Sequence, residues 1–237
     1  EIGLGIPAEP LFRSSYVIAL IILHARNLYH VALLDKFYDE VCYIHGLVCL
    51  SVFLFSTSST SATSLTSLRL SPTAEELVEL YRSEVGDYPK FFKMDPLSRL
   101  GFMATELLKK QAPTADYGVL LFNRSSSMAD DLAFQATIQD KDNWFPSPAL
   151  FVYTLPNIVT GEIAIRNHYQ TETNFMVLDA PRHDIMAEQI ALAAQHGPQI
   201  AGWCEVNADG HQLAALVAVP QYTPKETIEK ELQPLLP

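Results

Sequence analysis

The chain lacks most of the features by which a sequence declares its chemistry. Its three cysteines, Cys42, Cys49 and Cys204, are an odd number without CxxC spacing. That excludes a disulfide framework and a cysteine zinc site, and it fits a reducing, cytoplasmic setting. Positive charge is scarce. Sixteen Lys and Arg stand against 27 Asp and Glu, a formal net charge of −11. A sequence-wide basic footprint is absent, which argues against nucleic acid and anionic membrane surfaces as main partners. Apolar runs are short. Tyr16–Leu23 and Val41–Phe55 are strongly apolar, but both fall below the roughly 18–20 residues of a membrane span, and "HARN" and "DKFYDE" interrupt them. A secretory signal fits poorly, because the first basic residue is Arg13 and acidic residues come early. His24, His30 and His45 lie among apolar residues and read as hydrogen-bonded core or surface residues rather than metal ligands. No cofactor is expected.

What is present is material for a core. The chain has 237 residues, 49% of them hydrophobic and 18% charged. That suffices for one full domain, or for a domain plus an appendage. Three stretches separate by character. Residues 1–55 hold the apolar runs and read as buried or amphipathic helices, with a membrane-touching hairpin over residues 11–55 as the alternative. Residues 56–70 begin "STSSTSATSLTS", ten Ser or Thr in twelve positions, and read as a flexible linker. Residues 71–237 are regular.

In that regular part, Thr73 and Glu76 have capping-box spacing and open a helix that runs to about Glu84. Asp95 as N-cap and Pro96 at the first turn open a second, with Leu97, Leu100, Met103, Ala104, Leu107 and Leu108 on one face. Tyr117–Asn123 is a continuous apolar run, as in a central strand buried on both faces. A helix is expected from Met128 to Ile138, and another from Asn157 as cap through Arg166, with Gly161 permitting close backbone approach. Phe175–Leu178 reads as a buried strand. Pro181 suits the first position of a helix that runs to His196. "QIAGWCEV" and "HQLAALVAV" flank "NADG", a hairpin signal. A short charged helix closes the chain at about Pro224–Leu232. The alternation predicts a layered α/β domain, with helices on both faces of a central sheet.

The stretch "TNFMVLDAPRHD", Thr173–Asp184, is the natural place to look for chemistry. Strand, tight turn and helix N-terminus together form a common nucleophile setting, because free backbone N–H groups can hold an anion there. Yet the turn holds Asp179, Ala180, Pro181 and Arg182, with neither Cys nor Ser. His183 and Asp184 point to different sides of a helix and make no acid–base pair by spacing; Asp184 suits dipole compensation. Ser125, Ser126 and Ser127 follow a central strand and could bind phosphate. N-capping of the Met128 helix explains them better, with Asp130 and Asp131 in its first turn. Asp140, Asp142 and Asn143 lack the Gly and closing Glu of an EF-hand loop and read as a solvated turn. Cys204 reads as a small buried hydrophobe.

Several segments carry a family resemblance when taken in order. "FFKMDPLSRLGFMATELL", "VLLFNRSSSMADD" and "PSPALFVYTLPNIVTGEIAIRNHY…TNFMVL" together resemble the N-terminal half of a β-ketoacyl synthase, a thiolase-fold condensing enzyme of fatty-acid and polyketide assembly. Ser147, Pro148, Phe151, Asn157, Gly161 and Ile163 follow the family's order and spacing. The resemblance spans about Thr73 to Val219 and is nearer to the divergent synthase-like proteins of pigment and aryl-polyene clusters than to housekeeping enzymes. It implies a layered α/β/α thiolase-like half-domain with a mixed central sheet. It implies a strand, Asn174, Phe175, Met176, Val177 and Leu178, that pairs with its copy across a two-fold axis. The family's nucleophilic Cys falls at Ala180 or Pro181, and neither can attack a thioester. Its two decarboxylating His residues belong to a C-terminal half that this chain does not reach, and its first strand is not recognisable.

Three readings follow. One is a non-catalytic synthase-like domain, inactive alone. It would be a homodimer or a heterodimer with an active ketosynthase, in the manner of chain-length-factor subunits, with an acyl carrier protein as a further partner. Asn157, Gly161, Asp179 and Arg182 would then belong to its pocket or turn. The second is a residual thioester decarboxylase or hydrolase using His183 or Ser126. The third is an interaction domain tethered to a membrane through residues 11–55.

Overall fold

A computed structural model describes residues 65–142 and 144–236, which belong to a compact unit that begins at Ser64. The expectations for residues 1–55, for most of the 56–70 stretch and for Asn143 lie outside the described residues.

Five strands form one mixed sheet in the order β1-β5-β4-β2-β3. They are β1 (Thr66–Leu70), β2 (Gly118–Asn123), β3 (Thr173–Val177), β4 (Gln199–Val206) and β5 (Gln212–Val219). The pairs β4–β2 and β2–β3 are parallel, whereas β4–β5 and β5–β1 are antiparallel. The helices are α1 (Ala74–Glu84), α2 (Pro96–Lys109), α3 (Met128–Ile138), α4 (Pro148–Tyr153), α5 (Ile158–Asn167), α6 (His183–Ala193) and α7 (Lys225–Leu235), with a 3-10 turn over Pro89–Lys93. This is the layered α/β arrangement that the alternation predicts.

The sheet divides the core by side-chain parity, since successive strand residues point to opposite faces. Val119 and Leu121 of β2 meet α1, α2 and α5 on one face, together with Ile200 and Cys204 of β4. Leu120 and Phe122 meet α6 and α7 on the other, together with Ala201 and Trp203. Every residue of β2 and β4 is buried, as expected for central strands covered on both sides.

Local signals set the helix starts. Thr73 and Glu76 complete a capping box, with Thr73 Oγ1 accepting from the Glu76 N–H at 3.2 Å and Glu76 Oε2 accepting from the Thr73 N–H at 2.8 Å. Asp95 caps α2 through the Leu97 and Ser98 N–H groups. Gly210 adopts φ +84° in the β4–β5 turn, where the Asp-Gly signal placed it.

Four features depart from the sequence expectation. The strand β1 occupies Thr66–Leu70, inside the stretch read as linker; pairing with β5 overrides the weak Ser/Thr composition. The strand β3 is an edge strand rather than a buried one, because β2 is its only neighbour among the described strands. Phe175 and Met176 are half-buried, while Thr173, Asn174 and Val177 are exposed. Pro181 precedes α6 instead of opening it: Arg182 holds the cap position and His183 the first turn. Lastly, a Cβ on Gly161 would meet nothing within 4 Å. The close approach falls on Gly101 of α2, where a Cβ would stand 2.5 Å from Val159 Cγ2 of α5.

Candidate functional site

Open α/β sheets bind ligands outside the carboxyl ends of parallel strands, where the chain's direction of travel across the sheet reverses. Here that point lies between β2 and β4. The chain leaves β2 through α3, α4 and α5 to reach β3 on one side. It then returns through α6, on the opposite face, to β4 on the other side.

The turn after β2 fills this crevice from within. Glu205 of β4, buried at 7% exposure, accepts from the Arg124 N–H at 2.6 Å and the Ser125 N–H at 3.3 Å. Those two N–H groups are the ones an external anion would need. Asn123 clamps the same turn by donating to the Ser126 carbonyl at 2.8 Å and accepting from the Ser126 N–H at 3.0 Å. Ser126 is thereby held at φ +52°, in the left-handed region. Ser127 occupies the α3 cap position but makes no side-chain cap bond; its hydroxyl donates to the Thr154 carbonyl instead. The expected capping role of the serines is thus replaced by a bond to the segment after α4.

The turn after β3 is open by comparison. Asp179 and Ala180 are exposed, and Pro181 is half-exposed. The Leu178 N–H donates to the Asn123 carbonyl at 2.8 Å, joining this turn to the first one. Arg182 pairs with Asp184 at 3.4 Å, and this contact holds the Asp184 carboxyl below its ordinary range. His183 Nε2 lies 2.7 Å from the Leu236 carbonyl oxygen, which fastens the start of α6 to the end of α7. Its ring is therefore engaged in structure. Ser126 and His183 sit on different turns and share no hydrogen bond among the described residues.

Asn157 holds the α5 cap position without a side-chain cap bond, since its own backbone is helical; its carbonyl accepts from the Thr160 hydroxyl at 2.8 Å. The Asp142 N–H donates to Asp140 at 2.9 Å within an exposed turn. Cys204 is fully buried, and desolvation pushes its thiol well above the ordinary range. Among the described residues, no group of three or more His, Cys, Asp or Glu is placed to hold a metal ion. No described helix is long and apolar enough to cross a membrane.

A second feature joins residues that no local sequence signal connects. Asp95 and Asp130, from the starts of α2 and α3, are both buried and share a hydrogen bond. Burial, then the Asp95 charge and the shared bond, push the Asp130 carboxyl up to about 8. A carboxyl raised this far departs from the dipole-compensating charge expected of a first-turn acid. Asp95 is also raised by burial, against the hydrogen bonds from Ser98 and Leu97 that favour its ionised form. Both acids line a cavity of about 360 Å³, with Met94, Arg99, Leu150 and Tyr153. A smaller cavity of about 210 Å³ shares Pro96, Arg99 and Ala129 with it and reaches Gln212. Ala180 and Pro181 line neither. Nothing local in the sequence marks this pair or Glu205, because each partner lies on a different element.

No model of a known protein family matches the chain, and no curated protein matches it. Among solved structures it is similar to a chain of the complex between a ketosynthase (ApeO) and its chain length factor (ApeC) from Xenorhabdus doucetiae. The identity is 12%, the TM-score 0.48, and the match covers 66% of this chain and 78% of that one.

Proposed function

We propose that residues 71–237 are a non-catalytic β-ketoacyl-synthase-like domain of thiolase type. It dimerises with itself or with an active ketosynthase and helps to shape an acyl pocket in fatty-acid or polyketide assembly. The observation that carries this reading is a strand–turn–helix element without a nucleophile. The parallel strand β3 leads directly to the start of α6, and the turn between them holds Ala180 and Pro181. A proline there also removes one backbone donor from any oxyanion hole. The outer edge of β3, unpaired among the described residues, supports a pairing role, because such an edge is a template for another strand. The crevice at the reversal point supports it as well, since Glu205 occupies the two N–H groups that an anion would use.

Two measurements test the proposal together. The purified chain, given acyl and malonyl thioesters, should form no carbon–carbon bond, and measurable turnover would overturn the reading. Sedimentation should show a dimer, alone or with an added ketosynthase; a monomer under both conditions would remove the dimerising role.

A further inference from the structure

The segment between β2 and α5 is attached to the body of the domain in an unusual way. The helices α3 and α4 pack mainly against each other, with the rings of Phe134 and Phe151 5.5 Å apart. The bond from Ser127 to the Thr154 carbonyl closes their base. Neither helix buries an apolar side chain. The only buried side chain of α3 is Asp130, and α4 has none. Leu132 and Phe151 are more than half exposed. Elements with little apolar burial sit at the low-stability end of a structure and open first. Beneath them lies the cavity of about 360 Å³, bounded on its far side by Met94, Asp95, Pro96 and Arg99.

We propose that α3 and α4 form a lid over this cavity, latched by the Asp95–Asp130 carboxyl pair and loosened when the pair loses its shared proton. The geometry divides the roles. Asp95 is fixed by the Leu97 and Ser98 N–H groups at 3.0–3.3 Å, which favour its ionised form. Asp130 then supplies the proton that joins α3 to α2. Two like charges buried side by side repel and are poorly solvated, so removing the proton opposes closure.

The surrounding charges do not neutralise the pair. Arg99 donates to the Phe91 carbonyl at 3.2 Å and to the Phe92 carbonyl at 2.9 Å. Lys93 lines the cavity, and Asp131 adds a further negative charge on α3. On the sheet side, Glu205 is spent on Arg124 and Ser125, and Cys204 is buried. From α4, Tyr153 lines the same cavity, and Glu162 of α5 is met by Lys90 at 2.6 Å. Burial, with the Glu162 charge, pushes the Tyr153 hydroxyl up to about 12, so it keeps its proton throughout the range in which Asp130 titrates.

The sign follows from linkage. In the open lid Asp130 takes an ordinary carboxyl pKa near 4, while in the closed lid it sits at about 8. Between those values the closed state holds the extra proton. Closure is therefore strongest in acid, weakens as pH rises toward 8, and levels off above it.

Hydrogen exchange of the full chain, followed by mass spectrometry and corrected for intrinsic exchange rates, tests this. Peptides covering α3 and α4 should lose protection by up to tenfold per pH unit between pH 5 and 8, while β2 and β4 peptides serve as reference. Asp130→Asn keeps a donor for Asp95 without titrating, and should abolish the dependence while retaining protection. Asp130→Ala should lower protection at every pH. Asp131→Asn removes only a minor contribution to the raised Asp130 and should keep the pH dependence. Protection of α3 and α4 that is independent of pH would overturn the proposal. So would an unchanged pH dependence in Asp130→Asn, or its loss in Asp131→Asn.

Discussion

The carboxylate of Glu205 accepts a 2.6 Å hydrogen bond from the backbone N–H of Arg124, across the carboxyl end of the sheet. One side chain thereby satisfies two backbone N–H groups that an anion could otherwise use. Replacing Glu205 with Ala leaves two N–H groups without their acceptor. The expected cost is on the order of 1.5–3 kcal/mol, read from urea unfolding. The same variant should gain thermal stability from added phosphate, and the parent protein should not. Equal phosphate effects on both would show that the turn is not a vacated anion site.

The glycines Gly202 and Gly161 should respond in opposite directions. Gly202 has φ +146°, and a Cβ there would stand 2.1 Å from the Ala215 carbonyl oxygen of β5. The neighbour is backbone and cannot give way. Gly202→Ala should cost at least about 3 kcal/mol and reduce soluble yield. Gly161 lies in a helix and faces open space. There, Gly161→Ala should stabilise by roughly 0.5–1 kcal/mol. Denaturation midpoints of the two variants decide the matter.

The edge of β3 that is unpaired among the described residues gives a test of association. Val177 is 52% exposed at the end of that strand. A Lys at this position leaves the fold intact but places a charge on the edge. Val177→Lys should weaken dimers at least tenfold in sedimentation equilibrium while the circular dichroism spectrum stays unchanged. Unaltered dimerisation would place the interface elsewhere.

Burial keeps Cys204 protonated and out of reach of solvent. Brief treatment of the native chain with iodoacetamide should therefore leave Cys204 unmodified in peptide mapping, whereas unfolding in urea should expose it. Rapid native alkylation would contradict the packing of β4 against α2.

Much of the fold was readable from short-range signals. The capping box of Thr73 and Glu76, the Asp95-Pro96 start and the Asp-Gly turn act within a few residues, so the sequence displays them directly. Features set by distant partners were not readable. Thr66–Leu70 becomes a strand only because β5 supplies the hydrogen bonds. The edge position of β3 depends on strand order, which periodicity does not encode. At the candidate site, the absence of Cys and Ser from the Asp179–Arg182 turn could be read directly. The filling of the crevice by Glu205 and the pairing of Asp130 with Asp95 could not. In both cases a side chain acts on an element far away in sequence, and its local spacing suggested an ordinary role.

The antiparallel pairing of β1 with β5 sets an order on biosynthesis. Residue Thr66 lies opposite Ala218, and Leu70 opposite Ala214. A growing chain that has emerged only through β4 still lacks the strand that joins its first segment to its sheet. The parallel strands β2, β3 and β4 are contiguous in the chain and can assemble earlier. Until β5 leaves the ribosome, Thr66–Leu70 lacks its partner among the described strands. A nascent-chain arrest series should therefore show protease resistance of the N-proximal strand rising only once β5 has cleared the exit tunnel. Among the described elements, the seam between the first strand and the last closes late, followed only by the docking of α7 onto α6 and β5.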